Sequence, residues 1–101
     1  MPENEKEKVL LIQLVLMFQT AAMQHLGKLK HPLSEKVERD LEQAQISIDM
    51  LDMLHTRMKG NLSAEEERMF ANVLQELRLN YVDEASKEQQ NPPSPQPPAA
   101  P

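Results

Sequence analysis

Residues 9–26 read VLLIQLVLMFQTAAMQHL and form the most apolar segment of the chain. Between Val9 and Phe18 the only polar residue is Gln13, and Gly27 follows the segment. At about 100° per residue, apolar side chains cover almost the whole circumference of a helix here. Such a helix is buried or lies in a membrane. Since two other helices cannot enclose it, the segment predicts that the chain associates with a second copy.

The apolar side chains of this first helix fall on several faces. One face holds Leu10, Leu14, Met17, Phe18 and Ala21, and the far side holds Val9, Ile12, Leu16 and Met23. Because the far side is also apolar, we expect it to meet a partner rather than water.

Two other interpretations of the segment are weighed against this one. A membrane span needs about 20 predominantly apolar residues, and five polar ones interrupt this stretch: Gln13, Gln19, Thr20, Gln24 and His25. A signal peptide has basic residues before its apolar core, but here three glutamates outnumber Lys6 and Lys8. We therefore favour a soluble cytoplasmic oligomer and do not expect a membrane partner.

The composition excludes several classes of function. The formal net charge is -5, whereas nucleic-acid binding needs a basic face. The chain has no cysteine, which excludes disulfides, thiol catalysis and cysteine-based zinc sites. A length of 101 residues allows one domain, and two glycines with few aromatic residues fit long helices better than a sheet.

A second helix is predicted at about 35–59, with Ser34 as its N-cap. Its apolar positions alternate by four and three residues, as in a coiled-coil heptad seam: Val37, Leu41, Ala44, Ile48, Leu51, His55 and Met58. Ile46, Met50 and Met53 lie on roughly the opposite side. The helix therefore has one face for its own chain and a second face for a partner.

A third helix is predicted at about 64–85. Gly60 ends the second helix, and Ser63 with Glu66 matches the capping box that begins the third. Such a short turn makes the two helices antiparallel neighbours. Beyond this helix, residues 86–101 are rich in proline and are predicted to be a disordered tail.

Together these patterns predict an all-α fold, a three-helix antiparallel bundle with a disordered Pro-rich C-terminal tail. The helical domain spans 8–85, with its first helix at about 8–26, and residues 1–7 are expected to fray.

Asp52 and His55 are the only residues whose spacing suggests a metal site. Carboxylate-bundle metal proteins use such an i, i+3 pair twice, whereas this chain has it once. We expect His55 to pack on the apolar seam and to bond Asp52 or the backbone. The alternative, a metal-binding or enzymatic bundle, needs two copies to bring two pairs together. We predict no cofactor and no catalytic residue, because no phosphate loop or nucleophile motif is present.

Several segments resemble a small bacterial family, domain of unknown function eighteen forty-four. They are Thr20–Gly27, Gln45–Leu54, Lys59–Glu67 and Leu74–Val82, and the resemblance covers roughly 9–83. It implies a bacterial, all-helical domain and retention of the first apolar segment in the mature chain. It implies no activity, substrate or site residue.

The prediction for function is a non-enzymatic structural or protein-interaction module. It self-associates, most simply as a dimer, through its first two helices. An unidentified protein is a second candidate partner. The predicted interface residues are Ile12, Leu16, Met23, Ile46, Met50 and Met53. Besides the metal-binding bundle, a peripheral membrane protein that uses its first helix remains an alternative.

Overall fold

The computed structural model describes residues 3–29 and 39–90. These ranges hold three α-helices: α1 (Glu3–His25), α2 (Leu41–Arg57) and α3 (Ala64–Gln90). The described residues contain no β-strand, only one isolated antiparallel bridge between Leu26 and Arg39. The predicted all-α, three-helix fold is therefore confirmed.

The helices alternate in direction. At one end of the bundle Lys8 of α1 and Ser63, just before α3, line the same groove. Farther along, the Gln19 side-chain amide donates to the Glu76 carboxylate at 2.6 Å. Since α1 and α3 advance together, they are parallel, and α2 runs antiparallel to both.

One stripe of each helix builds the core. The buried apolar side chains are Val15, Ala22 and Leu26 from α1 and its end, Ala44, Ile48 and Leu51 from α2, and Phe70, Val73, Leu74 and Leu77 from α3. Leu11 and Phe18 of α1 pack against them and are partly buried. Leu11, Val15, Phe18 and Ala22 are spaced at i, i+4, i+7 and i+11, which places them on one face of α1. We call this face the core stripe of α1.

The start of α2 differs from the prediction. The helix begins at Leu41, with Asp40 as its N-cap, and the Asp40 carboxylate accepts a hydrogen bond from the Gln43 backbone N–H at 3.1 Å. The Asp40 N–H donates to the His25 carbonyl at 2.7 Å, which holds the chain extended before the helix. The predicted helical start near residue 35 was therefore wrong at residues 39 and 40. Ser34 and Val37 lie outside the described residues.

The turn between α2 and α3 is as predicted. Gly60 has φ +90°, the left-handed conformation that ends many helices. The Ser63 backbone N–H donates to Glu66 Oε1 at 2.8 Å, and the Glu66 N–H donates to Ser63 Oγ at 3.1 Å. This reciprocal pair is the predicted capping box.

The outer ends of α1 and α3 extend beyond the predicted bounds. α1 begins at Glu3 rather than near residue 8, and α3 continues to Gln90 rather than ending near 85. Glu88, within this extension of α3, is 3.7 Å from the Arg39 guanidinium, so the extension has tertiary support. The rest of the predicted tail, 91–101, lies outside the described residues.

Candidate functional site

Among the three described helices, α1 carries the most exposed large apolar side chains. Six large apolar side chains are between 39 and 68% exposed: Val9, Leu10, Ile12, Leu14, Leu16 and Met17. Large apolar patches on a monomer commonly mark interaction sites. The apolar excess predicted from the sequence is therefore present, and only one stripe of it is used in the core.

The core stripe divides this apolar surface into two flanks. Helical phase places Leu10, Leu14 and Met17 on one side of the stripe and Val9, Ile12 and Leu16 on the other. Between the flanks, opposite the core, lie the polar residues Gln13 and Thr20. The two flanks therefore face different neighbours.

The flank with Val9, Ile12 and Leu16 is, by helical phase, on the α3 side of the core stripe. Ile12 lines a groove together with Glu65 and Met69 of α3, with a volume of about 160 Å³. We call the surface formed by Val9, Ile12, Leu16, Glu65, Met69 and Glu76 the α1–α3 groove.

The other flank faces α2. Asp52 marks the side of α2 that faces α3, because its carboxylate is 3.0 Å from the Arg78 guanidinium. By helical phase Ile46 and Met50 point away from the core, on the side of α2 turned from Asp52 and toward α1. The bond from Asp40 to His25 sets the antiparallel register and brings Met17 level with them.

Together these side chains form one surface on two helices. Ile46, Met50 and Met53 are 40, 44 and 49% exposed, and Met17 is 68% exposed. We call this surface the α1–α2 patch, and its members are Leu10, Leu14, Met17, Ile46, Met50 and Met53.

The predicted interface residues do not all lie on one surface. Ile46, Met50 and Met53 belong to the α1–α2 patch, whereas Ile12 and Leu16 belong to the α1–α3 groove. Met23 is only partly exposed and packs against the core. Leu10, Leu14 and Met17 were missed because they share one face with Phe18 on the helical wheel. Phe18 alone of these packs against the core, since α2 and α3 together approach α1 around Val15 and Ala22.

Asp52 and His55 contact different residues of α3. The His55 Nε2 is 2.8 Å from Glu67 Oε1 on α3, and the imidazole stacks on Phe70 with centroids 5.2 Å apart. Asp52 instead pairs with Arg78. The expected packing of His55 on the seam is confirmed, but its imidazole bonds Glu67 rather than Asp52 or the backbone. Across 3–29 and 39–90 no group of three or more potential metal ligands is assembled.

A second charged cluster lies where the α1–α2 connection meets α3. The Glu84 side chain is buried, and its carboxylate is 2.7 Å from Lys28 Nζ and 3.0 Å from Arg39 Nη1. The hydrogen bond from Lys28, with others from Lys87 and Arg39, lowers the pKa of Glu84 to about 2, although burial opposes this. The hydrogen bonds that Lys28 donates to Glu84 and Asp83 raise the pKa of Lys28. The cluster joins helices, and every charge in it has a partner.

None of the three described helices combines the length and the hydropathy that a bilayer crossing requires. Polar residues interrupt α1, and charged residues crowd its first turns.

Comparison with known proteins gives one family. A family model described as Domain of unknown function (DUF1844) matches residues 8–84, which covers all of α2 and most of α1 and α3. The chain belongs to this family. No curated protein and no solved structure matched.

Proposed function

We propose that this member of the DUF1844 family is a non-enzymatic helical interaction module that forms a homodimer through the α1–α2 patch. The observation that carries the proposal is the exposure of Met17 on α1 and of Ile46 and Met50 on α2, two helices that pack against each other. An apolar surface on adjacent helices matches the face that a second helical pair covers in a four-helix bundle.

The size of the exposed apolar surface supports a second copy as the occupant. A standard interface buries about 800 Å² per partner, of which roughly 500 Å² is apolar. The exposed fractions in the α1–α2 patch, from 39 to 68% on six side chains, supply an apolar area of that order. Further exposed apolar groups on α1 lie at its edge, so the patch is large enough for a dimer.

The charge of the patch also supports self-pairing. From Val9 to Gln24, α1 has no charged residue, and the six members of the patch are all uncharged. In a two-fold dimer the same patch contributes both sides of the interface. Depletion of charge is typical of an interface core, and Glu42 and Asp49, on the exposed side of α2, would lie at its rim.

The proposal that the chain is non-enzymatic rests on the contacts of Asp52 and His55, the pair that the sequence suggested for a metal or enzymatic site. Asp52 and His55 are each held by a different residue of α3, so neither is oriented toward the other. We also place the chain in the cytoplasm, which suits a protein without cysteine.

The test is the solution mass, measured by light scattering after size exclusion over a concentration series. We expect the wild type to have the mass of a dimer, and Met17→Glu and Met50→Glu to shift it toward monomer. Leu79→Glu is the matched control, because Leu79 is 63% exposed on α3, away from the patch. This control should remain dimeric.

Two results would contradict the proposal. One is a wild-type monomer at every concentration. The other is a dimer that resists Met17→Glu but dissociates on Leu16→Glu, which would assign the interface to the α1–α3 groove instead.

A further inference from the structure

We propose that the α1–α3 groove binds a basic amphipathic helix of another protein. The inference concerns a different surface from the α1–α2 patch and stands whether or not the chain dimerises. It rests on the shape of the groove, on its apolar floor and on the charge of its rims.

The groove has the dimensions of a helix-binding site. α1 and α3 run parallel from the cavity lined by Lys8 and Glu65 to the hydrogen bond between Gln19 and Glu76. Eleven residues separate Lys8 from Gln19, which corresponds to about 16 Å or three helical turns. A helix laid into an apolar groove uses anchors spaced over this length.

The floor of the groove is apolar. Ile12 is 41% exposed, and Leu16, one turn farther along α1, is 46% exposed. Met69 lies across from Ile12, is partly buried, and lines the same cavity. Methionine adapts its shape to an incoming side chain, so this floor suits a stripe of leucine-like residues.

The rims of the groove are acidic. Glu65 and Glu76 are exposed on the α3 side. Glu5 is exposed on the α1 side, and it precedes Ile12 by seven residues and so shares its face. Lys8 is the cation that lines the cavity. Opposite charges across an interface favour encounter and reject like-charged partners.

The same charges argue against a second copy as the occupant. A two-fold contact through this groove would bring the glutamates of one copy near those of the other, in a chain with formal net charge -5. A partner helix with lysines or arginines beside its apolar stripe meets both requirements of the groove. The six members of the α1–α2 patch are uncharged, so we expect the two surfaces to bind different partners.

The experiment uses a fluorescently labelled leucine–lysine amphipathic peptide of about 18 residues, a length that spans the groove as a helix. Binding to the full chain is followed by fluorescence anisotropy. A leucine–glutamate peptide with the same apolar pattern is the control ligand. We expect the lysine peptide to bind, more weakly as salt rises, and the glutamate peptide not to bind.

The protein variants locate the binding site. Ile12→Ser and the double variant Glu65→Lys/Glu76→Lys should each raise the Kd about tenfold, as expected for lost anchors and lost charge pairs. Glu42→Lys/Asp49→Lys changes the net charge equally but on the exposed side of α2, and it should change the Kd less than about twofold. Circular dichroism confirms that each variant is folded, and Leu16→Ser replaces Ile12→Ser if that one is not.

Several outcomes would overturn the proposal. They are failure of the lysine peptide to bind, equal binding of both peptides, and equal weakening by the two double charge variants. A loss of binding on Met50→Ser would place the peptide on the α1–α2 patch instead. Light scattering on the same samples reports the dimer separately, so a monomer that still binds the peptide refutes only the proposed self-association.

Discussion

Arg39 and Glu84 are 45 residues apart in the chain, and the guanidinium Nη1 of Arg39 is 3.0 Å from the Glu84 Oε1. Lys28, on the other side of the connection between α1 and α2, reaches the same carboxylate at 2.7 Å. Both ends of that connection are therefore attached to α3 through one buried side chain. A buried carboxylate is tolerated when such partners compensate its lost hydration.

Replacing Glu84 by Gln should destabilise the fold at neutral pH. The substitution removes the charge that faces Lys28 and Arg39, and we expect a loss of roughly 1–3 kcal/mol in the free energy of unfolding, since both cations keep partial contact with water. Urea denaturation at pH 7 measures it. Glu88→Gln is the matched control, because Glu88 is 44% exposed and 3.7 Å from Arg39. A loss as large in the control would contradict a special role for Glu84.

The contribution of Glu84 should also depend on pH. Its pKa falls from 4.5 to about 2 on folding, so the folded state binds fewer protons than the unfolded state at acidic pH. The stabilisation is then fully present above about pH 5 and is lost as the pH falls through 4.5 toward 2. The difference in unfolding free energy between the wild type and Glu84→Gln should shrink over that window. A constant difference from pH 7 to pH 2 would refute this account.

His55→Ala should destabilise the bundle without a change in bound metal. The substitution removes both the contact to Glu67 and the stacking on Phe70, and we expect a loss of about 1–2 kcal/mol. His55→Phe keeps the stacking and should recover part of it. Thermal melts measure both variants, and elemental analysis of wild type and variant measures metal. Metal in the wild type that disappears in His55→Ala would revive the metal-binding alternative.

Gly60→Ala should destabilise the turn between α2 and α3 by about 1 kcal/mol. The φ of +90° is unfavourable for residues with a Cβ, while no atom lies within 4 Å of where that Cβ would be. The cost therefore arises within the local backbone rather than from a clash with another part of the fold, so Gly60→Asn should cost less. Chemical denaturation of the two variants, with Lys59→Ala as the control, tests this. Equal losses in Gly60→Ala and Lys59→Ala would show that backbone conformation is not the cause.

Ala22→Leu should disturb the packing of α1 against the other helices. Ala22 is fully buried in the core, and adding bulk to a closely packed core commonly costs about 1–3 kcal/mol. Ala71→Leu makes the same chemical change at an exposed position of α3 and should be nearly neutral. Denaturation midpoints compare the two variants. If Ala22→Leu were as neutral as its control, α1 would not be closely packed at this point.

Most of the bundle was predictable from local patterns. The heptad seam of α2 identified Ala44, Ile48 and Leu51 as core residues, and the structure buries all three. The capping box of Ser63 and Glu66 located the start of α3, because both of its hydrogen bonds join residues three apart. The second apolar face of α2 was also predictable, because Ile46, Met50 and Met53 fall opposite the seam at helical spacing.

The amino-acid sequence by itself determined the number of helices, their alternating direction and the apolar excess of α1. These depend on periodicity, caps and short turns, which involve residues near one another in the chain. Only the tertiary structure decided which stripe of α1 enters the core, where α2 begins and which residue bonds His55. A helix that is apolar on every side has no preferred inward face until its neighbours approach. The start of α2 and the partner of His55 depend in the same way on contacts with residues of another segment.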